Sequence, residues 1–267
     1  MTKRPVKMYY DDMTSEAVKC PERRDKTISG FSVDEGYDYL GKEGNIFYRA
    51  LSFIVYRVIM TPIARIYCRF FLGMKISDNR TKKPARGEGC LLFRNHVLTV
   101  GDAFEPSVEM KGKKVSVVVS SKNLSLRGTR TFLKMCGALP VPTGIRMMKR
   151  FSDAVKKRIG QGYCVTVYPE AHVWPYYNKI RPFGTGAFGL AVSTGAPVYV
   201  STTVFRKGRR PRVTTVLDGP LYAEPGLSRK DAETELSGRV HLIMENRASQ
   251  SCDTSYYVKY EKKGTNE

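Results

Sequence analysis

Hydrophobic residues are spaced differently along four successive segments of the chain. Residues 1–44 are polar with mixed charge, which indicates an N-terminal tail. Residues 45–76 form a dense apolar segment. Residues 77–250 alternate short apolar runs with stretches of helical periodicity, and residues 251–267 form a second polar tail. The pattern therefore predicts one large domain preceded by an apolar segment.

The segment 77–250 has the spacing of a mixed domain. Its strand candidates are 90–94, 115–119, 138–141, 163–168, 197–203 and 212–217. Its helix candidates are 102–110, 128–136, 147–160, 184–194 and 229–247. Strands that alternate with helices predict an α/β fold, with a single sheet flanked by helices.

Arginines interrupt the apolar segment 45–76, and Pro62 divides it. No uncharged stretch in it approaches the roughly 20 residues that span a bilayer. We therefore predict a two-helix membrane-interface segment, in which arginines reach phosphate headgroups and tyrosines lie beside them. The alternative is a pair of amphipathic helices packed on the protein's own core.

The charge balance is strongly basic. The chain has 45 Lys and Arg against 25 Asp and Glu, a net charge of +20. Such a surface attracts nucleic acid, acidic lipids or phosphorylated substrates. No helix-turn-helix, zinc or RNA-recognition pattern is present, and a nucleic-acid role would leave the apolar segment unexplained, so we predict no nucleic-acid partner. Scattered cysteines and a polar N-terminus predict a cytosolic, reducing setting.

Candidate chemistry begins after the apolar run 90–93. His96 follows that run, and Asp102 stands where the next helix candidate begins. Histidine exchanges a proton near pH 7, and a carboxylate can orient its ring and stabilise the cation, so the pair is suited to deprotonating a hydroxyl. Alternatively, Asp102 is an N-cap that forms a capping box with Glu105.

Further motifs follow in a fixed order. The strand candidate 163–168 leads into Tyr168-Pro169-Glu170, and a glycine-rich helix entry follows at 183–187. Together with Asn95-His96, Lys122, Gly137-Ala138-Leu139-Pro140-Val141 and Ala196-Pro197-Val198, the chain resembles the glycerophospholipid acyltransferase family, the 1-acylglycerol-3-phosphate acyltransferases. The resemblance covers about residues 45–220. It implies acyl transfer from a thioester of coenzyme A or acyl carrier protein to a lysophospholipid, without a cofactor, at the cytoplasmic face of an anionic membrane surface.

The resemblance also implies the roles of individual residues. His96 is the general base and Asp102 orients it, while Glu170 helps to hold the glycerol-phosphate region of the acceptor. Candidate phosphate-binding cations are Lys122, Arg146, Arg150 and Arg181. No metal site is predicted, because His172 has no ligand-like spacing to another His or Cys; a pocket-lining role is expected for it.

The chain departs from the family pattern at several positions. Five residues separate His96 from Asp102, where the family has four, and we expect Gly101 to bulge outward. A family arginine is replaced by Thr143, so Arg146 or Arg150 is expected to substitute for it. The alternative function is therefore a non-catalytic, peripheral lipid-binding protein with a decayed acyltransferase site.

Overall fold

A seven-stranded sheet with helices on both faces forms the centre of the protein. The computed structural model describes residues 5–19, 33, 37–40, 45–77, 81–85, 87–124, 127–142 and 144–263. The strands are β1 (Val6–Tyr10), β2 (Lys75–Ile76), β3 (Cys90–Arg94), β4 (Val115–Ser120), β5 (Ala138–Val141), β6 (Cys164–Val167), β7 (Val198–Arg206), β8 (Arg212–Leu221) and β9 (Val258–Lys262). The helices are α1 (Ile46–Phe71), α2 (Gly101–Glu109), α3 (Arg127–Met135), α4 (Ile145–Gly160), α5 (Gly189–Thr194) and α6 (Arg229–Ala248).

The predicted α/β fold class is confirmed. Every strand and helix candidate of the segment 77–250 corresponds to an element, although the candidate 184–194 is a 3-10 turn, Thr185–Phe188, followed by α5. The sheet order is β2-β8-β7-β3-β6-β4-β5. β3, β4, β5, β6 and β7 run parallel, while β8 is antiparallel to β7. The carboxyl ends of the parallel strands lie together, at what we call the site edge.

Alternation along β3 sends its side chains to two cores. Leu91 and Phe93 pack in the larger cluster with residues of α4 and α6, including Leu236. Cys90 and Leu92 pack in a second cluster with Met110, just after α2. All five residues of β3 are buried because helices cover both faces of the sheet.

In the residues that are described there, the two terminal segments are not simple tails. β1 pairs in parallel with β9, so the chain ends form a second, two-stranded sheet. The two strands lie some 250 residues apart, so no hairpin turn joins them and the sequence carries no hairpin signal for this pairing. Met8 and Val258 are buried with Trp174 beneath this pair. Thr143 and Cys20 lie outside the described residues.

The apolar segment forms one helix, α1, so the prediction of two helices divided at Pro62 is wrong. Two stretches of α1 have π-type turns, and the Thr61 N–H and hydroxyl both donate to the Tyr56 carbonyl just before the proline. This wider turn accommodates a residue that lacks an N–H, and the helix continues.

Helix α1 has one packed side and one exposed side. Ala64 and Cys68 are buried, and the Tyr56 hydroxyl accepts the Val115 N–H at 2.9 Å. On the other side, Phe47 is 82% exposed and Phe70 is 75% exposed. By length and composition alone, α1 is apolar enough to cross a membrane, yet its packed side lies along the domain. The core-packing interpretation therefore describes the packed side of α1, and the membrane-interface interpretation describes its exposed side.

Candidate active site

The side chains of His96 and Asp102 meet at the site edge. His96 follows β3, and Asp102 lies in the first turn of α2. The His96 Nδ1 is 2.6 Å from the Asp102 Oδ2, and the same oxygen accepts the Leu98 N–H at 2.9 Å. The carboxylate is buried, while the ring is 22% exposed. The pair therefore has a fixed carboxylate behind a ring that solvent can reach, as a general base requires.

The turn between His96 and Asp102 accommodates the additional residue at a position other than Gly101. Gly101 is buried, and a Cβ there would lie 2.9 Å from the side chains of Leu72 and Leu98, so the expectation that Gly101 bulges outward is wrong. Thr99 and Val100 are the exposed residues of the turn. A capping box is also absent, since the N-cap of α2 is Val100 and has no side-chain bond.

Tyr168, directly after β6, supports the pair. Its hydroxyl donates to the Asp102 carbonyl at 2.5 Å, and its ring stacks on the His96 ring with centroids 4.5 Å apart. Burial raises the pKa of Tyr168 well above its usual value, so the hydroxyl remains a donor at neutral pH. The family pattern has phenylalanine here, and the sequence contained no signal for this additional hydrogen bond.

Glu170 holds the backbone around His96. It is 3% exposed; its Oε2 accepts the His96 N–H at 2.8 Å, and its Oε1 accepts the Arg181 N–H at 2.9 Å. The Arg181 guanidinium approaches the Oε2 at 3.3 Å. Both carboxylate oxygens are therefore engaged within the protein. The predicted role of Glu170 in holding the acceptor would therefore act through the groups that it positions.

Arg181 is fully buried, which corrects its assignment as a phosphate ligand. Its guanidinium also donates to the His172 carbonyl and lies over the Trp174 ring, with 4.8 Å to the centroid. Burial lowers the pKa of Arg181, and the charge of Glu170 opposes that change. The arginine thus braces the segment after β6 instead of facing a substrate.

Trp174 links this segment to the histidine turn and to the N-terminal segment. Its backbone N–H donates to the His96 carbonyl at 2.9 Å, while its indole N–H donates to the Ser15 carbonyl at 2.9 Å. The ring is completely buried and stacks on Tyr260 of β9. A single tryptophan in a polar loop gave no indication of this role, because its partners come from both ends of the chain.

The remaining candidates lie at different distances from the edge. Lys122 is exposed in a 3-10 turn directly after β4, and Arg146 is exposed in the first turn of α4, so both belong to the site edge. Arg150, one turn further along, borders a hollow formed with residues 37–40. His172 is exposed, and its backbone rather than its ring contacts Glu170 and Arg181.

A buried ionic cluster lies beneath the pair. Arg94 at the end of β3 bonds Glu105 and Glu109 on α2, and the Ser201 hydroxyl lies 2.6 Å from its guanidinium. Asp102, Glu105 and Glu109 are spaced so that they share the buried face of α2. The arginine therefore anchors the helix that carries the orienting carboxylate.

Comparison with known proteins agrees with this geometry. The family model described as Acyltransferase matches residues 75–204, which contain the pair, Tyr168, Glu170 and Arg181. Residues 75–204 belong to the acyltransferase family. The resemblance inferred from the motifs is thereby confirmed.

The acyltransferase domain also has a structural counterpart. The chain is similar to the crystal structure of the 1-acyl-sn-glycerophosphate (LPA) acyltransferase PlsC from Thermotoga maritima, with a TM-score of 0.54 and 15% sequence identity over 78% of this chain and 89% of that one. At this identity the likeness concerns the fold. No curated protein matches the chain.

Proposed function

We propose that the protein transfers a fatty acyl group from a thioester donor to the hydroxyl of a lysophospholipid in phospholipid synthesis, with 1-acylglycerol-3-phosphate as the favoured acceptor. The family match supports acyl transfer itself. The observation that carries the proposal is the 2.6 Å contact between His96 Nδ1 and Asp102 Oδ2. This contact favours an active site over the decayed site of a lipid-binding protein.

The proposed reaction uses the ring nitrogen that Asp102 leaves available. With the Nδ1–H donated to Asp102, the His96 Nε2 takes the proton of the acceptor hydroxyl, and the oxygen attacks the thioester carbonyl. The tetrahedral intermediate collapses as the C–S bond breaks, and the imidazolium returns the proton to the leaving thiolate. Asp102 stabilises the imidazolium throughout. A serine or cysteine nucleophile is not needed.

The acceptor and the donor follow from charge and position. Lys122 and Arg146 lie at the site edge, where cations can pair with the phosphate of a lysophospholipid. A thioester of coenzyme A or of acyl carrier protein is the expected co-substrate, since both carriers are anionic and the protein is basic. The exposed apolar side of α1 supports association with a membrane. We propose that the protein acts at the cytoplasmic face of that membrane.

The first test replaces His96 with alanine. Acyl transfer from a thioester to 1-acylglycerol-3-phosphate should fall by about 10²–10⁴-fold, the usual contribution of a general base. Release of free thiol measures the rate. His241, which lies partly exposed on α6, provides the matched control, and His241→Ala should retain wild-type turnover. Near wild-type turnover of His96→Ala, with its circular dichroism unchanged, would refute the mechanism.

A further inference from the structure

The turn between β7 and β8 presents three exposed cations, Lys207, Arg209 and Arg210. Their neighbour Arg206 points the other way, and its guanidinium donates to the Gly73 carbonyl at 2.8 Å. We call residues 207–210 the basic turn. The bond from Arg206 ties the basic turn to the segment directly after α1.

The basic turn projects past the site edge. The β3–β7 pairing places Arg94 opposite Ser201, and β7 continues to Arg206. At 3.3 Å per residue, this extension is about 16 Å long. The cations therefore lie beyond the carboxyl end of β3, at the site edge, where His96 also lies.

The exposed end of α1 lies beside the basic turn. The Leu72 carbonyl accepts the Val213 N–H at 3.2 Å, so the chain leaving α1 is joined to the start of β8. Ile66 is 54% exposed and Phe70 is 75% exposed in the last turns of the helix. Burial raises the pKa of Tyr67, and the charge of Arg210 opposes that rise, which places Arg210 near this helix end. Apolar and cationic groups thus form one continuous surface.

Acidic groups do not neutralise this surface. Residues 45–77 contain no aspartate or glutamate, and Arg65 and Arg69 on α1 are also exposed. Within the described part of the chain, no carboxylate forms an ion pair with the basic turn. Asp253 lies on a nearby segment, where its single charge faces three cations of the basic turn and its carboxylate accepts the Ser255 hydroxyl and N–H.

We infer that the basic turn is a docking site for the anionic headgroups of a bilayer, whose acyl region receives the exposed side of α1. A nucleic acid would match the cations but not the adjoining isoleucine and phenylalanine side chains, whereas an anionic bilayer matches both. This inference extends the proposed function, because docking at the basic turn directs the site edge toward the membrane that holds the acceptor.

The test compares two triple variants of the full chain. Lys207→Gln/Arg209→Gln/Arg210→Gln removes the cations of the basic turn. Lys149→Gln/Lys156→Gln/Lys230→Gln removes the same charge from exposed positions on α4 and α6, on the opposite face of the sheet. Sedimentation with vesicles of phosphatidylcholine, with and without phosphatidylglycerol, measures binding at low and high salt. Binding of a single-stranded oligonucleotide is measured in parallel.

The basic-turn variant should bind vesicles that contain phosphatidylglycerol about 100-fold more weakly than wild type, because each basic residue near an anionic surface contributes about fivefold. The control variant should differ from wild type only a few-fold. Equal loss in both variants, or unchanged vesicle binding with lost oligonucleotide binding, would overturn the inference. The sedimentation assay contains no acyl donor or acceptor, so its result does not depend on whether the acyl-transfer proposal holds. Transfer between water-soluble short-chain substrates should survive in the basic-turn variant.

Discussion

At the residue scale, the site depends on where each carboxylate finds its donors. Asp102 bonds the His96 ring and the Leu98 N–H, whereas Glu170 bonds only backbone and arginine groups. A carboxylate whose oxygens are all bonded to backbone and arginine groups positions those groups, and a carboxylate bonded to an imidazole orients its ring. The two acidic residues of the motifs therefore have different tasks, although both were predicted as site residues.

Glu105 has a property that a pH series can test. Burial raises its pKa from 4.5 to about 7, and Arg94 opposes the rise while Asp102 and Glu109 add to it. The folded protein keeps this proton up to about pH 7, whereas the unfolded chain releases it near pH 4.5. Stability should therefore fall as pH rises through this window, by about 3 kcal/mol. Above pH 7 the contribution is constant.

Glu105→Gln removes the titrating group and leaves a hydrogen-bonding side chain. Urea unfolding of both proteins between pH 4.5 and 8 measures the effect. The difference in unfolding free energy between wild type and variant should change with pH below about 7 and level off above it. Two parallel curves would show that Glu105 is ionised throughout.

At the scale of elements, the terminal strands β1 and β9 act on the histidine turn through Trp174. The indole is enclosed by Tyr10 of β1, Tyr177 and Tyr260 of β9, and its backbone bonds the His96 carbonyl. The family model ends at residue 204, so these strands lie outside it. Positioning of the pair thus depends on elements that the family motifs do not contain.

Met8→Asp should open this terminal sheet. Met8 is buried against Trp174 in β1, and an aspartate there would bury a charge at a cost of several kcal/mol. Trp174 is the only tryptophan of the chain, so its fluorescence should shift to longer wavelength as the sheet opens. The kcat for acyl transfer should fall more than KM changes, since the histidine turn loosens. Lys7→Ala, on the exposed side of β1, should change neither signal. A fluorescence shift without any loss of kcat would show that the terminal sheet does not position the catalytic pair.

At the scale of the whole molecule, charge and apolar surface coincide around α1. The chain carries a net charge of +20, while the first 40 residues are nearly neutral, so the excess lies on the remainder of the chain, α1 included. Helix α1 adds an exposed apolar side with Phe47 and Phe70 near its two ends. Hydrophobic insertion and electrostatic attraction respond differently to salt, and the two contributions to membrane binding can therefore be separated.

Phe47→Ser/Phe70→Ser should weaken vesicle binding by at least about tenfold for each ring, since burying a phenylalanine contributes about 1.5–3 kcal/mol. The loss should appear on neutral and anionic vesicles alike and persist at high salt. Vesicle sedimentation measures it. Leu242→Ser, at an exposed apolar position on α6, is the control and should bind as wild type. If the double variant binds neutral vesicles normally, α1 does not enter the bilayer.

The order of strands and helices was determined by the sequence itself, because alternation and helical periodicity record which side of each element is buried. The same holds for His96 and Asp102, whose residue types and position after a strand already indicated their chemistry. Partners distant in sequence were decided only by the tertiary structure. The sequence predicts Arg181 as a phosphate-binding cation, whereas the fold buries it against Glu170 and Trp174. Strand β1 pairs in parallel with β9, some 250 residues away. Local patterns encode burial and propensity, whereas the pairing of a buried charge or of two distant strands depends on contacts that exist only in the folded chain.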